Sequence, residues 1–440
     1  MSVKVSRIFH AGYVMECDGI RIAFDPIFEN PFSRNCFAYP TVEFDYAAIK
    51  NLRFDAVFIS HYHDDHCSFD SLKLLNRTTP IYMFCVHEEM FSWIRELGFS
   101  NVYPLTLNSS VDIGPFKVIS HPALDVDVDS VFEVQVQNLK ILNVVDSWLD
   151  QETYDGLAKR APWDLVMWPF QTMRELEVLE PDRAEPSDRK LPSEWLVQLK
   201  DLKPKFLIPS SCQFQMEEWS WYNHAFFPIS YGDFNQQVQG ILPNTKIVNL
   251  RPSTSILLSS DELKTGESLS WMKMTGDSQG DYQYQPDLIP PKTSEIAQHF
   301  SKLDQKQTSE VLHYCNHGLI EKFREVGPSA DMFFNKPRIW KLSLFDQDGK
   351  STDFIYEVKD DVLTLLDESA CPPDWNTEII ASKLYSALNT GESLTSLYLR
   401  VKKDADVEVI EDPLIRCLFN GEFGSYQKAQ LARIKKEESL

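Results

Sequence analysis

The sequence predicts an α/β domain joined through a polar linker to a smaller α+β domain. Three observations carry this. Residues 54–66 read Phe-Asp-Ala-Val-Phe-Ile-Ser-His-Tyr-His-Asp-Asp-His: an apolar strand pattern over 56–60 stops in a burst of polar side chains, and a helical pattern follows over 69–76. Strand and helix patterns then continue to about residue 260. Composition next turns to Ser, Gly, Asp, Gln and Pro over 259–294, and a differently patterned unit lies beyond it. The expected organisation is a first domain over 1–260, a linker over 261–292 and a second domain over 293–440. A length of 440 residues suits at least two domains, and 43% hydrophobic with 12% aromatic residues is enough for a large core.

In chain order, residues 3–9 read as a strand broken by His10-Ala11-Gly12. Strands over 13–17 and 20–25 join through Asp18-Gly19, a strong hairpin signal, and Asp25-Pro26 ends the pair. His10 stands at a strand end, where it either supports a nearby metal site or is simply hydrogen-bonded. The loop over 30–39 is open to two readings, the mouth of a site or ordinary surface. After the motif, 81–85 reads as a strand and 88–97 as an amphipathic helix that His87 starts. Strand pieces over 111–120 end in His121-Pro122. Asp125, Asp127 and Asp129 then alternate along an extended segment, and at least two of them are expected to face water. A hairpin over 131–136 and 140–145 ends in Asp146-Ser147-Trp148, with Ser147 or Asp150 suited to cap the helix over 152–160. The segment 174–190 is charged and reads as an exposed insertion. The aromatic stretch 210–228 holds His224 and fits a substrate pocket or a core cluster equally. Strands over 246–250 and 255–260 close the first domain.

The motif is poorly explained as packing, because each buried polar side chain needs a partner. Imidazole nitrogens and carboxylate oxygens are ligands that zinc, manganese and iron accept. His61 and His63 alternate and can point the same way, while Asp65 and His66 can turn toward a second ion.

His61-Tyr62-His63-Asp64-Asp65-His66 resembles the His-x-His-x-Asp-His signature of the metallo-β-lactamase superfamily, and the resemblance runs over roughly the first 260 residues. It implies an αββα sandwich. It implies that Asp25 supports the motif loop by hydrogen bonds and binds no metal. It also implies a ligand set: His61, His63 and His121 for a first ion; Asp65, His66 and His224 for a second; Asp146 as the bridging carboxylate; and Asp65 in the catalytic role. His224 is the only histidine between His121 and His299, but its 78-residue separation from Asp146 is longer than the superfamily's usual spacing. The implied cofactor is a pair of divalent ions, zinc first, with iron or manganese as alternatives. The implied reaction uses a water shared by the two ions to attack an ester, phosphodiester, lactone or amide of a small molecule. The ligand types alone leave open iron-based oxygen chemistry.

Beyond the linker, 294–326 reads as helical, 338–345 and 351–358 as a hairpin, 361–366 as a strand, 379–388 as a helix, 397–401 as a strand and 425–438 as a helix. In pattern, and without a shared motif, this region resembles sterol-carrier-protein-like domains and the C-terminal segment of proteins related to CMP-N-acetylneuraminate hydroxylase. It raises the alternative of a non-enzymatic ligand carrier, against which the intact motif stands.

A net charge of −22 argues against a nucleic-acid or anionic-membrane surface. No apolar run reaches the length of a membrane span. Eight cysteines without a Cys-x-x-Cys pair, and a first segment lacking an apolar core, point to reduced thiols in the cytoplasm. No Gly-x-Ser-x-Gly, phosphate-loop or dinucleotide motif is present.

Overall fold

In the computed structural model, which describes residues 2–260, 262–327, 332–367, 372–403, 408–419 and 424–438, the chain divides into two units. The first comprises residues 1–173, 187–284 and 430–440; the second comprises 174–186 and 285–429.

Two sheets face each other in the first unit. One runs, in spatial order, Leu263–Gly266, Ser255–Leu258, Val3–Arg7, Tyr13–Cys17, Ile20–Phe24, Ala56–Ile59, Ile81–Met83 and Val102–Pro104. The other runs Lys246–Ile247, Pro204–Ser210, Trp163–Pro169, Leu139–Asn143, Ser130–Val136, Phe116–Pro122 and Ser110–Ile113. Both mix hairpins with parallel pairs, and their inner faces supply one core: Val5, Met15, Phe24 and Phe58 from the first sheet, Phe132, Val134, Ile141 and Met167 from the second. The Phe24 and Phe132 rings meet with centroids 5.2 Å apart. Helices Glu88–Glu96, Gln151–Ala158, Ser193–Leu202 and Tyr231–Ile241 each bury an apolar stripe. His87 occupies the N-cap of Glu88–Glu96, and Asp150 caps Gln151–Ala158 by accepting from the amides of Glu152 and Thr153. The expected αββα sandwich is the fold found.

Two expectations need correction. The stretch 261–292 is not a free linker up to residue 284. It adds strand Leu263–Gly266 to the first sheet and pairs Met272–Met274 with Val42–Phe44. Trp271, Tyr282 and Tyr284 are buried there, and the Asp281 carboxylate accepts from the amides of Tyr231 and Gly232. The polar composition concealed three aromatic anchors. Nor is 174–190 one exposed insertion: residues 174–186 belong to the second unit, where helix Glu175–Leu179 places Leu179 in the core.

The second unit is α+β. Its sheet runs Val362–Leu366, Ser351–Lys359, Arg338–Phe345, Trp375–Ile380 and Arg400–Lys403. The expected hairpin is present, and the strand Trp375–Ile380 lies parallel to its first arm. Helices Gln305–His313, Leu319–Val326 and Pro413–Phe419 bury Val311, Leu319, Phe323 and Leu414 with residues of this sheet, including Trp340 and Trp375. Among the described residues no helix is long and apolar enough to cross a membrane.

Candidate metal centre

The site is assembled at the ends of strands of the first unit. Strand Ala56–Ile59 is buried on both faces, as a parallel strand inside a sandwich must be. It delivers Ser60 and His61 at its carboxyl end. A turn follows, closed by the amides of His66 and Cys67 on the His63 carbonyl, and it swings Asp65 and His66 back toward the strand end. Next to it in the sheet, Phe24 pairs with Phe58, so Asp25 arrives beside Ser60. From the facing sheet, Leu139–Asn143 leads through Val144 and Val145 to Asp146, and the Asn143 side chain accepts from the Val145 amide. Ser130, at the start of its strand, donates its hydroxyl to the Ser60 carbonyl at 2.8 Å, which brings its neighbour Asp129 to His61. His10 enters on the tight loop after Val3–Arg7. Gly12 closes that loop, and a Cβ there would lie 3.0 Å from the Asp25 carbonyl oxygen.

Two donor groups result. In one, His10 Nε2, Asp65 Oδ2, His66 Nε2 and Asp146 Oδ2 converge: His66 lies 3.1 Å from Asp146 and 3.6 Å from Asp65, and His10 lies 3.0 Å from Asp65. In the other, His61 Nε2 is 3.0 Å from His63 Nδ1 and 3.8 Å from Asp129 Oδ1. The two groups are adjacent, with the His61 and His66 ring centroids 4.0 Å apart. Ligands held 2.0–2.2 Å from a tetrahedral ion sit about 3.3–3.6 Å from one another, so both groups are spaced as cation ligands are. The buried Asp129 Oδ1 has no hydrogen-bond partner, which is what an oxygen directed at an absent cation looks like.

Asp25 organises both groups without joining either. Its carboxylate accepts from the Ser60 amide at 2.7 Å, the Ser60 hydroxyl at 2.7 Å and His66 Nδ1 at 3.0 Å. The His66 Nδ1–H is thereby committed to Asp25, which leaves Nε2 as the nitrogen turned toward Asp146 and Asp65. The Ser60 hydroxyl, having donated to Asp25, accepts from His61 Nδ1 at 2.9 Å, which frees His61 Nε2 in the same way.

The electrostatics are those of a cation site. Burial alone would lower the His66 pKa, but the Asp146 and Asp65 carboxylates outweigh it and raise it well above the usual histidine value. Burial, followed by the charge of Asp146, pushes the Asp129 carboxyl up to about 7. Burial also lowers His61 well below its usual value, with His66 and His63 adding to the effect. Asp65 and Asp146 go the other way: despite their burial, the His66 ring beside both holds their carboxyls below the usual carboxylate range.

Of the residues expected at the site, the structure brings together His61, His63, Asp65, His66 and Asp146, and places Asp25 and His10 against them. It leaves out His121 and His224. His121 has both ring nitrogens engaged elsewhere, Nδ1 with Asn108 and Nε2 with Glu133, each at 3.0 Å. The Glu133 carboxylate, anchored by Arg160, draws that ring along the neighbouring strand. The His224 Nδ1 faces the Gln283 carbonyl at 3.0 Å, in the short helix Tyr222–Ala225. The 78-residue gap from Asp146 had already signalled this difficulty. Asp129 was not foreseen as a donor. Asp125 and Asp127 are exposed, as expected of two members of that trio. The aromatic stretch over 210–228 resolves into core: Trp221, Tyr222, Phe226 and Phe227 are buried. From it, Phe214 packs edge-on against the His10 ring, and Phe32, from the 30–39 loop, flanks the same ring.

Residues 4–169 match the family described as the Beta-lactamase superfamily domain. The chain carries a metallo-β-lactamase-fold domain. Among curated proteins, it is 35% identical over 101 residues to a UPF0173 metal-dependent hydrolase of Ignicoccus hospitalis, covering 23% of this chain and 39% of that protein. It is 24% identical over 227 residues to the cytidine monophosphate-N-acetylneuraminic acid hydroxylase of Cricetulus griseus, covering 47% of this chain and 39% of that protein. The chain thus spans well under half the length of these relatives. Among solved structures, Igni18, described as a novel metallo hydrolase from Ignicoccus hospitalis, aligns at 19% identity and a TM-score of 0.42 over 59% of this chain and 99% of that one. Metal binding is what this fold implies, and the two His/Asp groups lie at strand ends within the matched residues.

Proposed function

We propose that this chain is a dinuclear metal-dependent hydrolase acting on an ester, phosphodiester, lactone or amide of a small molecule. The observation that carries the reading is the pair of adjacent donor groups, with the His61 and His66 rings 4.0 Å apart. His61, His63 and Asp129 hold one divalent ion; Asp65, His66 and Asp146 hold the other. Zinc suits this donor set, and so do iron and manganese. Bound there, the ions would supply Lewis acidity and a water acidic enough to ionise near neutral pH. The protein's own part is positional. Asp25 and Ser60 fix which nitrogen of His61 and His66 is bare, and the carboxylates of Asp65, Asp129 and Asp146 offset the charge of two cations brought close together. This replaces the set in which His121 and His224 served as ligands.

A second reading, oxygen chemistry at iron, is favoured by one feature: His61, His63 and Asp129 form a two-histidine, one-carboxylate group, the arrangement of non-haem iron oxygenases. The hydroxylase relatives point the same way. One experiment separates the two. Protein made in iron-replete cells and purified without chelator is assayed for metal content, for its ultraviolet–visible spectrum and against chromogenic phosphodiester, ester and lactone substrates. Hydrolysis supported by zinc, at about two ions per chain, is the expected result. Inert zinc protein, with an iron-dependent absorption band and oxygen consumption, would overturn it.

A further inference from the structure

The four atoms His10 Nε2, Asp65 Oδ2, His66 Nε2 and Asp146 Oδ2 lie within 4.8 Å of one another and have the form of a complete four-ligand site. One hydrogen bond argues otherwise. The backbone amide of Cys212 donates to His10 Nδ1 at 2.9 Å. A nitrogen that accepts a hydrogen bond carries no proton, so the neutral His10 ring has its proton on Nε2. That is the opposite tautomer from His66, whose Nδ1–H is spent on Asp25. A ring with its proton on Nε2 cannot offer that nitrogen to a cation.

We propose that His10 is not a metal ligand but a positioning residue, whose Nε2–H donates to Asp65 Oδ2 and fixes how that carboxylate meets the second ion. The inference rests on the metal-centre reading above. His10 Nε2 lies 3.0 Å from Asp65 Oδ2 and 3.2 Å from His66 Nε2, and of the two the charged carboxylate is the nearer and stronger acceptor. The ring is buried and held between Phe32 and Phe214.

The tautomer is enforced by structure remote from the motif. Arg7 is fully buried, and its guanidinium donates to the carbonyls of His10 at 2.7 Å, Pro209 at 2.7 Å and Leu250 at 3.2 Å, with Ser211 at 3.4 Å. One cation thus ties the His10 loop to the turn that presents the Cys212 amide. That turn is itself forced: Ser211 and Cys212 have φ of 58° and 46°, and His10 has φ of 50°, in the region that favours glycine. Consecutive non-glycine residues in this conformation persist only where the surroundings dictate them, and here they aim an N–H at the ring.

The test compares His10→Gln with His66→Gln, both titrated with zinc from the metal-free state. A glutamine at 10 keeps both functions, its amide oxygen accepting from Cys212 and its N–H donating to Asp65. His10→Gln is expected to bind as many ions as the unaltered protein, each within about threefold in affinity, while His10→Ala weakens the second ion about 10–100-fold. His66→Gln is expected to lose one ion. Loss of one ion by His10→Gln, matching His66→Gln, would overturn the proposal. Retention of both ions by His66→Gln would instead sink the ligand assignment beneath it, and so separates the two failures. Nitrogen-15 histidine spectra of unaltered, zinc-loaded protein need no variant. An unliganded His10 ring protonated on Nε2 supports the proposal; a His10 ring protonated on Nδ1 and coordinated through Nε2 refutes it.

Discussion

Replacing Asp25 with asparagine should disable both metal positions although Asp25 touches neither. Asparagine keeps the shape, and its oxygen can still accept from the Ser60 amide, now 2.7 Å from Asp25 Oδ1. The NH₂ then occupies the place of Oδ2, where the Ser60 hydroxyl and His66 Nδ1–H both donate at present. Donor would face donor. Relief comes if the Ser60 hydroxyl turns to accept from the introduced NH₂ and donates to His61 Nδ1 instead, while His66 moves its proton to Nε2. Each adjustment strips a lone pair from a nitrogen that a cation needs. Restoring the metal-binding tautomer means leaving a buried donor unsatisfied, about 1–3 kcal/mol per ring. At 1.4 kcal/mol per tenfold, that is roughly 5- to 150-fold in affinity, in the range of about 10–100-fold found for lost supporting partners. The assay is zinc titration against a chromophoric chelator, with urea unfolding of the metal-free protein alongside. Both ions should weaken, and the metal-free protein should lose about 1–4 kcal/mol as charge-assisted bonds become neutral ones. Affinity for both ions within twofold of the unaltered protein would refute the relay through Ser60. Weakening of the second ion alone would confine the effect to His66.

Other expectations follow from the same geometry. Chelation should lower the unfolding temperature, because an ion that binds only the folded state at 100 times its Kd contributes about 2.7 kcal/mol; a melting curve indifferent to chelator would contradict two filled sites. His224→Ala should leave metal content and hydrolysis unchanged and stability within about 0.5 kcal/mol, since the ring only meets the Gln283 carbonyl; loss of an ion on elemental analysis would return His224 to the ligand set. Limited proteolysis should cut first within residues 285–292, where Ile289 is 88% exposed, and spare 263–284, whose aromatic anchors are buried; mass spectrometry of the first fragments decides.

The motif was legible because its chemistry is local. A strand end, two alternating histidines and an Asp-His pair lie within six residues, and no distant contact is needed to see that they converge. The remaining donors depend on the register of the second sheet, which the sequence does not display. His121 looked right by type and place, yet Glu133 lies two positions past its cross-strand partner Val131 and accepts from its ring. Asp129 was visible only as one of three alternating acids. What distinguishes it is the following Ser130, whose hydroxyl reaches the Ser60 carbonyl from the opposite sheet. The linker was misjudged for a related reason: average polarity over 261–292 hid Trp271, Tyr282 and Tyr284, and a single buried aromatic outweighs several exposed polar residues in fixing a segment.

Several residues at and around the site hold backbone conformations that non-glycine side chains disfavour. His10, Asp25, Val145, Ser211 and Cys212 all hold positive φ, and all five are within one residue of an atom on which the site depends. Glycine would adopt these angles without strain, but it could not supply the imidazole of His10 or the carboxylate of Asp25. Val145 presents the conflict most sharply. A β-branched residue at φ 62° is a marked outlier, with strain of about 1–3 kcal/mol. Its side chain is wholly buried in the core between the sheets, worth about 1.5–3 kcal/mol, so strain and burial nearly cancel at that position. What remains is geometry. In an extended strand Val145 and Asp146 would point to opposite faces of the sheet. The left-handed turn lets valine enter the core while the next residue reaches His66 at the strand's end. The sandwich core therefore sets the rigidity of the site as well as the stability of the fold, because it holds the backbone in conformations that the site residues would not choose alone.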